Sequence, residues 1–321
     1  MILNGKHFPH GVFLAPMAGF TDYAMRKICH DLGAEATTTE MVSAKAVCFG
    51  DKKTFSLARI REEEGTVSVQ LFGSEPDLLA KAAEILSKGT PDGCPPFAID
   101  INMGCPVPKV FNNGEGSALM KDPDRIRRIV SACTESTDLP ISVKLRLGVD
   151  EKSLNAVECA LAAEAGGASW ITVHGRTRKQ MYSGEANREL IRNVKNSIHI
   201  PLIANGDITD ADSALSMLKD TGADGIMIGR EAIGNPFVFR DILLAMEGKT
   251  PVGASLSERV ETAERQLALA VADKGEVVAV KECRKTVAKY FAGFRGSAAL
   301  RLAINSCTTQ KEVLNCLEKL G

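Results

Sequence analysis

Eight short apolar segments recur through the first 230 residues, and helical periodicity fills most of the intervals between them. The predicted strands are Val12–Ala15, Ala34–Thr38, Val67–Leu71, Phe97–Ile101, Ile141–Leu145, Trp170–Val173, Leu202–Ala204 and Gly225–Ile228. Most of them lack polar alternation, which is typical of strands buried on both faces. Eight strand–helix units predict a TIM (β/α)8 barrel. A doubly wound sheet is the alternative, but its GxGxxG fingerprint does not follow the first strand.

The pattern changes after about residue 245, where a Gly/Pro/Ser-rich stretch, EGKTPVGASL, precedes a purely helical tail. We therefore predict a barrel domain over 1–245, a linker over 246–256 and a small all-helical domain over 257–321. Ser255 with Glu258, and Thr309 with Glu312, have the spacing of capping boxes that begin helices. Residues 249–321 hold 12 Lys and Arg against 8 Asp and Glu, so the tail is basic.

The overall composition excludes several classes of protein. The chain has 321 residues, 45% of them hydrophobic, and a formal net charge of −1, so no global basic field indicates nucleic acid. No apolar run is long enough to span a membrane, and the N-terminus lacks the core of a signal peptide. The nine cysteines and five histidines show no metal-binding spacing. We therefore expect a cytoplasmic protein without a bound metal, and no feature indicates its oligomeric state.

Polar or reactive residues stand where nearly every predicted strand ends. They are Pro16, Met17, Ala18, Gln70, Asn102, Cys105, Lys144, His174, Asn205, Gly206, Asp207, Gly229 and Arg230. The carboxyl ends of barrel strands converge on one mouth, and the loops after the seventh and eighth strands commonly bind phosphate. The arrangement suits a phosphorylated cofactor such as FMN, with Lys144 beside the edge of the flavin that becomes anionic on reduction.

Cys105 follows the fourth strand on a constrained loop. Pro106 and Pro108 fix the backbone of this loop, while Gly114 and Gly116 permit a close backbone approach. A buried, inert thiol is the usual interpretation of a lone cysteine. The position at a strand end favours a catalytic group instead.

Four basic residues in the tail share one face of a predicted helix. Lys281, Arg284, Lys285 and Lys289 follow the spacing i, i+3, i+4 and i+8. Such a face is either solvated surface or a site for an RNA backbone.

These motifs together resemble the tRNA-dihydrouridine synthases. The segments that carry the resemblance are APMAGFTD, SVQLFG, DINMGCPVPKV, GEGSAL, VKLRLG, TVHGRTRKQMYSG, IPLIANGDI, GIMIGR and, in the tail, KECRKTVAKYFAGFRG. The resemblance implies a TIM barrel that binds FMN, uses NADPH as reductant and carries a C-terminal helical domain. It also implies that tRNA is the partner.

The resemblance further implies a role for each matching residue. Reduced FMN gives a hydride to C6 of a uracil, and Cys105 protonates C5. FMN is held by Pro16, Met17, Ala18, Gln70, Lys144, His174, Asn205, Gly206, Asp207, Gly229 and Arg230. Asn102 and Arg176 hold the uracil or a nearby phosphate. The basic residues of the tail contact tRNA. The sequence departs from the family pattern at Val149, Asn187, Thr286 and Lys289.

Three alternatives remain open at the level of sequence. The first is a flavin-dependent oxidoreductase of a small molecule, which would not need the basic tail. The second is dihydrouridine formation in another RNA, such as rRNA. The third is an RNA-binding protein on a degenerate barrel, which does not explain why Cys105, Lys144 and His174 are all present.

Overall fold

The computed structural model describes residues 1–320, and it confirms the predicted barrel. An N-terminal hairpin of β1 (Ile2–Leu3) and β2 (Lys6–His7) turns at Asn4-Gly5, where both residues have positive φ. The parallel strands are β3 (Val12–Leu14), β4 (Thr37–Thr38), β5 (Val42–Ser43), β6 (Val67–Phe72), β7 (Ala98–Met103), β8 (Ile141–Leu145), β9 (Trp170–His174), β10 (Leu202–Asn205) and β11 (Gly225–Ile228).

The strands run in the order β3-β11-β10-β9-β8-β7-β6-β4, and β5 also pairs with β6. A bridge between Phe13 and Ala36 joins the two ends of this order and closes the barrel. The inner wall is therefore a ring of eight strand positions, of which β4 and β5 share one.

Helices follow the strands and cover the outside of the barrel. They are α1 (Tyr23–Asp31), α2 (Ala44–Cys48), α3 (Lys52–Ala58), α4 (Pro76–Ser87), α5 (Pro108–Asn112), α6 (Pro123–Ser136), α7 (Ala156–Ala165), α8 (Arg188–Ser197), α9 (Ala211–Thr221) and α10 (Phe237–Met246). Aspartate side chains accept a first-turn N–H and begin α1, α6 and α9, at Asp22, Asp122 and Asp210. No helix of residues 1–320 is both long enough and apolar enough to cross a membrane.

The second strand differs most from its prediction. We expect Ala34–Thr38, but the structure contains two short pieces, β4 and β5. The hydroxyl of Thr39 accepts the N–H of Gln70 at 3.2 Å, in the place where a strand carbonyl would accept it. A side chain thus interrupts the backbone ladder, and apolar pattern alone does not reveal such a substitution.

The tail is helical, as predicted, and its core is distinct from the core of the barrel. Its helices are α11 (Leu256–Lys274), α12 (Glu276–Val287), α13 (Ser297–Ser306) and α14 (Gln310–Leu317). Capping boxes begin α11 and α14 at Ser255 and Thr309. Ala24 of α1 and Phe237 of α10 pack into the tail core. Gly321, the last residue of the predicted tail domain, lies outside the described residues.

Ion pairs attach the tail to the loops of the barrel's first third. Lys274 donates to Asp22, which begins α1, and to Glu282 of α12, both at 2.7 Å. Asp273 accepts from Arg61 at 2.6 Å. Because Asp22 belongs to the loop after β3, these contacts hold α11 and α12 beside the barrel mouth.

We expect the buried ion pair between Arg26 and Glu64 to be a main determinant of stability in this region. The two side chains are 2% and 0% exposed and 2.7 Å apart, and Arg26 also donates to the carbonyl of Thr21. Glu64→Ala leaves a buried guanidinium without its counter-charge, so the free energy of unfolding should fall by about 3–5 kcal/mol. Urea denaturation measures this change.

The matched control is Glu84→Ala. Glu84 pairs with Lys88 on the exposed face of α4, and losing an exposed pair should change stability by less than about 1 kcal/mol. Equal effects of the two substitutions would contradict the assignment.

Candidate active site at the barrel mouth

A cavity of about 680 Å³ opens at the carboxyl ends of the strands. It is lined by every residue that the sequence assigned to the cofactor, and also by Asn102, Cys105 and Lys289. The lining thus combines a thiol, amides, an imidazole and cations with apolar side chains such as Met17 and Met227. A cavity of this size and mixed character is typical of a small-molecule or cofactor site.

The Cys105 loop is held by hydrogen bonds to its backbone. The N–H groups of Gly104 and Cys105 donate to Asn102 Oδ1 at 3.2 and 2.9 Å. Ser117 Oγ donates to the carbonyl of Cys105 at 2.8 Å. Gly116 has a φ of +59°, and a Cβ there would lie 2.9 Å from Cys105 Cβ. The loop therefore requires a glycine at this contact, as its sequence suggested.

The environment of Cys105 keeps its thiol protonated. The side chain is only 9% exposed, and burial raises the pKa of the thiol, opposed in part by the N–H of Val107 and the charge of Arg146. A protonated thiol at neutral pH can act as a proton donor.

Arg146 holds the backbone of the Cys105 loop, and the sequence assigned it no role. Its guanidinium donates to the carbonyl of Gly104 at 2.9 Å, and to those of Thr177 and Met181 at 2.8 and 2.9 Å. Burial lowers its pKa to about 10. The sequence signal for this role was a second cation two residues after Lys144 in the VKLRLG segment.

Lys144 and His174 bring two basic groups into the cavity with different charges. Lys144 Nζ donates to Asn205 Oδ1 at 2.9 Å, and Asn205 in turn donates to the carbonyl of Met227 at 2.7 Å. Burial and the charge of Arg146 together lower the pKa of Lys144 to about 8, opposed in part by the charge of Asp100. Burial and the surrounding cations lower the pKa of His174 well below its ordinary value. His174 is therefore neutral.

The loops after β10 and β11 form the cationic side of the mouth. Gly206 has a φ of +125°, and a Cβ there would lie 2.8 Å from Ala186 Cβ. Asp207 also has a positive φ, of 52°. The Arg230 guanidinium is half exposed, lies 4.2 Å from the centre of the Tyr182 ring and 3.8 Å from Asp207 Oδ1. A partly free guanidinium beside a tight glycine turn suits a phosphate group.

Arg176 lies beneath the mouth and does not line the cavity. Its side chain is 2% exposed. It donates to Asp207 at 2.7 Å and to the carbonyls of Gly184 and Ser183 at 2.6 and 3.1 Å. These bonds fasten the loop after β9 to the loop after β10. The predicted contact of Arg176 with substrate stays a prediction, because its visible partners all belong to the protein.

The four basic residues of the tail have different surroundings. Lys285 and Lys289 place their ammonium groups 4.2 and 5.8 Å from the centre of the Phe20 ring, at the rim of the cavity. Lys281 is exposed on α12. Arg284 donates to the carbonyl of Cys307 and so fastens α12 to the end of α13. The structure therefore brings two of the four to the mouth.

Other residues of the site had no predicted role. Phe20, Met41 and Tyr182 line the cavity alongside the predicted set. Phe20 and Tyr182 lie in the APMAGFTD and TVHGRTRKQMYSG segments, so the motifs contained the signal. Met41 lies between β4 and β5, the two pieces of the second strand, and carried none. Within residues 1–320, no cluster of three His, Cys, Asp or Glu side chains is arranged to hold a metal ion.

We expect Lys144 to change its charge close to physiological pH. Because burial lowers its pKa to about 8, the ammonium should be charged below pH 8 and neutral well above it. NMR titration of the protein with ¹³C-labelled lysine should show one resonance with a midpoint near 8 that is missing from Lys144→Met. A midpoint near the ordinary lysine value of about 10.4 would contradict the burial argument.

Comparison with known proteins identifies a family for the chain. The family model described as Dihydrouridine synthase (Dus) matches residues 13–320. The tRNA-dihydrouridine synthase B of Pasteurella multocida is 39% identical over 319 residues, covering 99% of this chain and 95% of that protein. The corresponding protein of Yersinia pestis is 43% identical over 230 residues, 71% of this chain and 70% of that protein. A probable tRNA-dihydrouridine synthase of Rickettsia conorii is 38% identical, covering 92% of this chain and 88% of that protein.

Solved structures share the fold at low identity. Histamine dehydrogenase from Rhizobium sp. 4-9 superposes with a TM-score of 0.57 at 12% identity, covering 81% of this chain and 49% of that one. A 2-naphthoyl-CoA reductase complex gives 0.59 at 10% identity, covering 78% and 52%. These two likenesses concern the fold alone. The family model and the sequence relatives, which extend over most of the chain, show that the protein belongs to the dihydrouridine synthase family.

Proposed function

We propose that the protein reduces uridines of tRNA to 5,6-dihydrouridine, with FMN as cofactor, NADPH as reductant and Cys105 as the acid. One observation carries the proposal: a single cavity has a protonated thiol on one side and a cationic phosphate-type site on the other. Cys105 follows β7 and Arg230 follows β11, which are four positions apart in the ring of eight. The two groups therefore lie across the mouth from each other.

The residues present fit FMN. Gly206 makes a tight turn against Ala186, a Cβ at Gly229 would have no atom closer than 3.8 Å, and Arg230 offers a guanidinium to a phosphate. The polar contacts for the edge of the flat ring come from Gln70, Lys144 and Asn205. The ring is further surrounded by Pro16, Met17, Ala18 and His174. Asp207 orients the loop on the phosphate side. A bound FMN, reduced by NADPH, would supply the hydride that uracil receives at C6.

Cys105 then completes the reduction of the C5=C6 bond. The ring gains a hydride at C6 and needs one proton at C5, and the thiol is the protonated group that lines the cavity across from the phosphate-type loops. Burial raises the pKa of this thiol, so the thiol stays protonated in the free protein. It gives up the proton when negative charge develops at C5 of the substrate. The neighbouring Arg146 charge favours the thiolate that remains.

Asn102 and Lys144 stand side by side on β7 and β8, where both are proposed to contact the bound groups. One amide hydrogen of Asn102 has only the sulfur of Met41, 3.6 Å away, as acceptor. A uracil carbonyl is a stronger acceptor, so this N–H is suited to hold the base. The proposed role of Arg176 is to position the loops around the base and the phosphate.

The tail provides the proposed tRNA surface. Lys285 and Lys289 stand at the rim of the cavity, and Lys281 continues the exposed basic face along α12. Arg284 supports this face through Cys307, and its own contact with RNA is part of the proposal.

The proposed domains are a barrel over 1–245, a linker over 246–256 and a helical domain over 257–321. Nine unbridged cysteines in the described chain suit a reducing cytoplasm.

Substitution of the thiol tests the chemistry. Cys105→Ala should reduce the rate of tRNA reduction by about 10²-fold or more, because the proton donor is lost. Flavin reduction by NADPH should stay at the wild-type rate, since the thiol acts only on uracil. Stopped-flow absorbance follows both half-reactions, and mass spectrometry follows dihydrouridine in tRNA.

Cys94→Ala is the matched control, because Cys94 is half-buried and does not line the cavity. It should retain both half-reactions. Loss of flavin reduction in Cys105→Ala would overturn the assignment of the acid. Reduction of free uridine at the rate seen with tRNA would favour the small-molecule oxidoreductase instead.

Charge reversal tests the tRNA surface. Lys285→Glu with Lys289→Glu should raise the KM for tRNA about tenfold or more and flatten the dependence of tRNA affinity on salt, because fewer phosphates are neutralised. Flavin content should not change if these lysines act on RNA alone. Binding measured at two salt concentrations gives both quantities.

Lys81→Glu with Lys219→Glu provides a control with the same change in net charge. Both lysines are exposed, on α4 and α9 outside the barrel. This control should bind tRNA as the wild type does. An equal loss of affinity in the two double variants would show that net charge, and not the rim of the cavity, determines binding.

A further inference from the structure

A chain of hydrogen bonds runs from the interior of the barrel to the Cys105 loop. Gln70 Nε2 donates to Asp100 Oδ2 at 2.7 Å, and Asn102 Nδ2 donates to Gln70 Oε1 at 2.8 Å. Asn102 Oδ1 then accepts the N–H of Cys105 at 2.9 Å. Ser142 Oγ donates to the other oxygen of Asp100 at 2.6 Å. The chain from the interior to the loop therefore has four groups: the Asp100 carboxylate, the Gln70 amide, the Asn102 amide and the N–H of Cys105.

The polarity of this chain is fixed at both ends. Asp100 can only accept when it is ionised, and a backbone N–H can only donate. A side-chain amide donates through nitrogen and accepts through oxygen, so each amide has one orientation that satisfies both neighbours. Flipping Gln70 would set its oxygen against the carboxylate and its nitrogen against the Asn102 amine. Asp100 thus determines which end of each amide faces the loop.

Besides this chain, Asp100 interacts with Lys144, whose pKa its negative charge raises. Asp100 is 6% exposed and does not line the cavity. The strand register sets it directly beside Gln70 on β6 and Ser142 on β8, so its two oxygens meet one partner on each side. A carboxylate buried in the middle of a barrel is costly to hold, and this cost is unexplained if the residue only fills space.

We propose that Asp100 is a positioning residue that orients the amides of Gln70 and Asn102 and thereby holds the Cys105 loop in its reactive place. The inference rests on the proposed function for the role of Cys105. The hydrogen-bond chain itself is a property of the protein alone. The group acts through two intermediaries, so it need not touch substrate or cofactor.

Three variants separate this role from simple filling of the barrel. Asp100→Ala removes the acceptor at the start of the chain. Asp100→Asn keeps an oxygen toward Gln70 and can donate its amide to Ser142 Oγ, so it removes the charge and keeps the chain. Ser142→Ala removes the other hydrogen bond of Asp100 at the same depth, and it leaves the chain to the loop intact.

Alkylation of Cys105 by iodoacetamide, followed by peptide mass spectrometry, reports how firmly the loop is held, whether or not the enzyme is active. Asp100→Ala should increase the alkylation rate at Cys105 at least about fivefold. It should also lower the kcat for tRNA about 10- to 100-fold, since a displacement near 1 Å has effects of that size. Asp100→Asn and Ser142→Ala should stay within about twofold of wild type in both measurements.

Each result decides a separate question. Wild-type alkylation and kcat in Asp100→Ala would overturn the inference, as would an Asp100→Asn variant that behaves like Asp100→Ala. If Asp100→Ala does not fold, Gln70→Met interrupts the same chain one step later and should raise the alkylation rate equally; an unchanged rate there overturns the inference too. If wild-type protein forms no dihydrouridine in tRNA, the proposed function fails, and the alkylation results still judge the hydrogen-bond chain.

Discussion

The parallel register of the inner strands is the constraint on which the site depends. A polar side chain buried inside a barrel needs a hydrogen-bond partner, and another strand of the barrel can supply it. The register sets Asp100 between Gln70 and Ser142, and both side chains donate to it. Asn102 donates to Gln70 of β6, and Lys144 of β8 reaches past β9 to Asn205 of β10. The chemistry therefore needs the closed ring of strands, and not only the loops that follow them.

The tail extends this site from one side. Its attachment through Lys274 and Asp273 reaches the loops around α1, and that side of the ring carries Phe20. The Cys105 loop belongs to the fourth position in the ring, whereas Phe20 follows the first. In the proposed function, a tRNA that enters between them would meet the cations at the rim before its uracil reaches the thiol. The tail is attached beside the loop after β3, whereas the Cys105 loop follows β7, so attachment and the proposed chemistry lie at different positions of the ring.

The sequence predicted the ring of strands and the membership of the cavity well, because apolar runs mark strands and parallel strands end at one mouth. The sequence did not predict which partners the long side chains contact. Arg176 and Arg284 are predicted to contact substrate, which stays a prediction, and their partners within the protein, Asp207 and the Cys307 carbonyl, were not foreseen. Arg146, which had no assigned role, holds the Cys105 loop. Spacing places a residue at a strand end or on a helix face, but contacts from distant strands decide which atoms a flexible side chain reaches.

Burial acts on the acids and bases of this mouth in opposite directions. It raises the pKa of the Cys105 thiol, so the proton stays bound, and it lowers the pKa of Lys144 to about 8, so the charge there is easily lost. Lys144 consequently loses its proton at a lower pH than Cys105 does. Near neutral pH the cavity therefore holds a protonated thiol and a cationic lysine together, which is the combination that the proposed proton donation beside a reduced, anionic flavin would use. As the pH rises, the positive charge of Lys144 disappears first, and the proposed acid remains in a cavity that has lost the charge proposed to stabilise the anion.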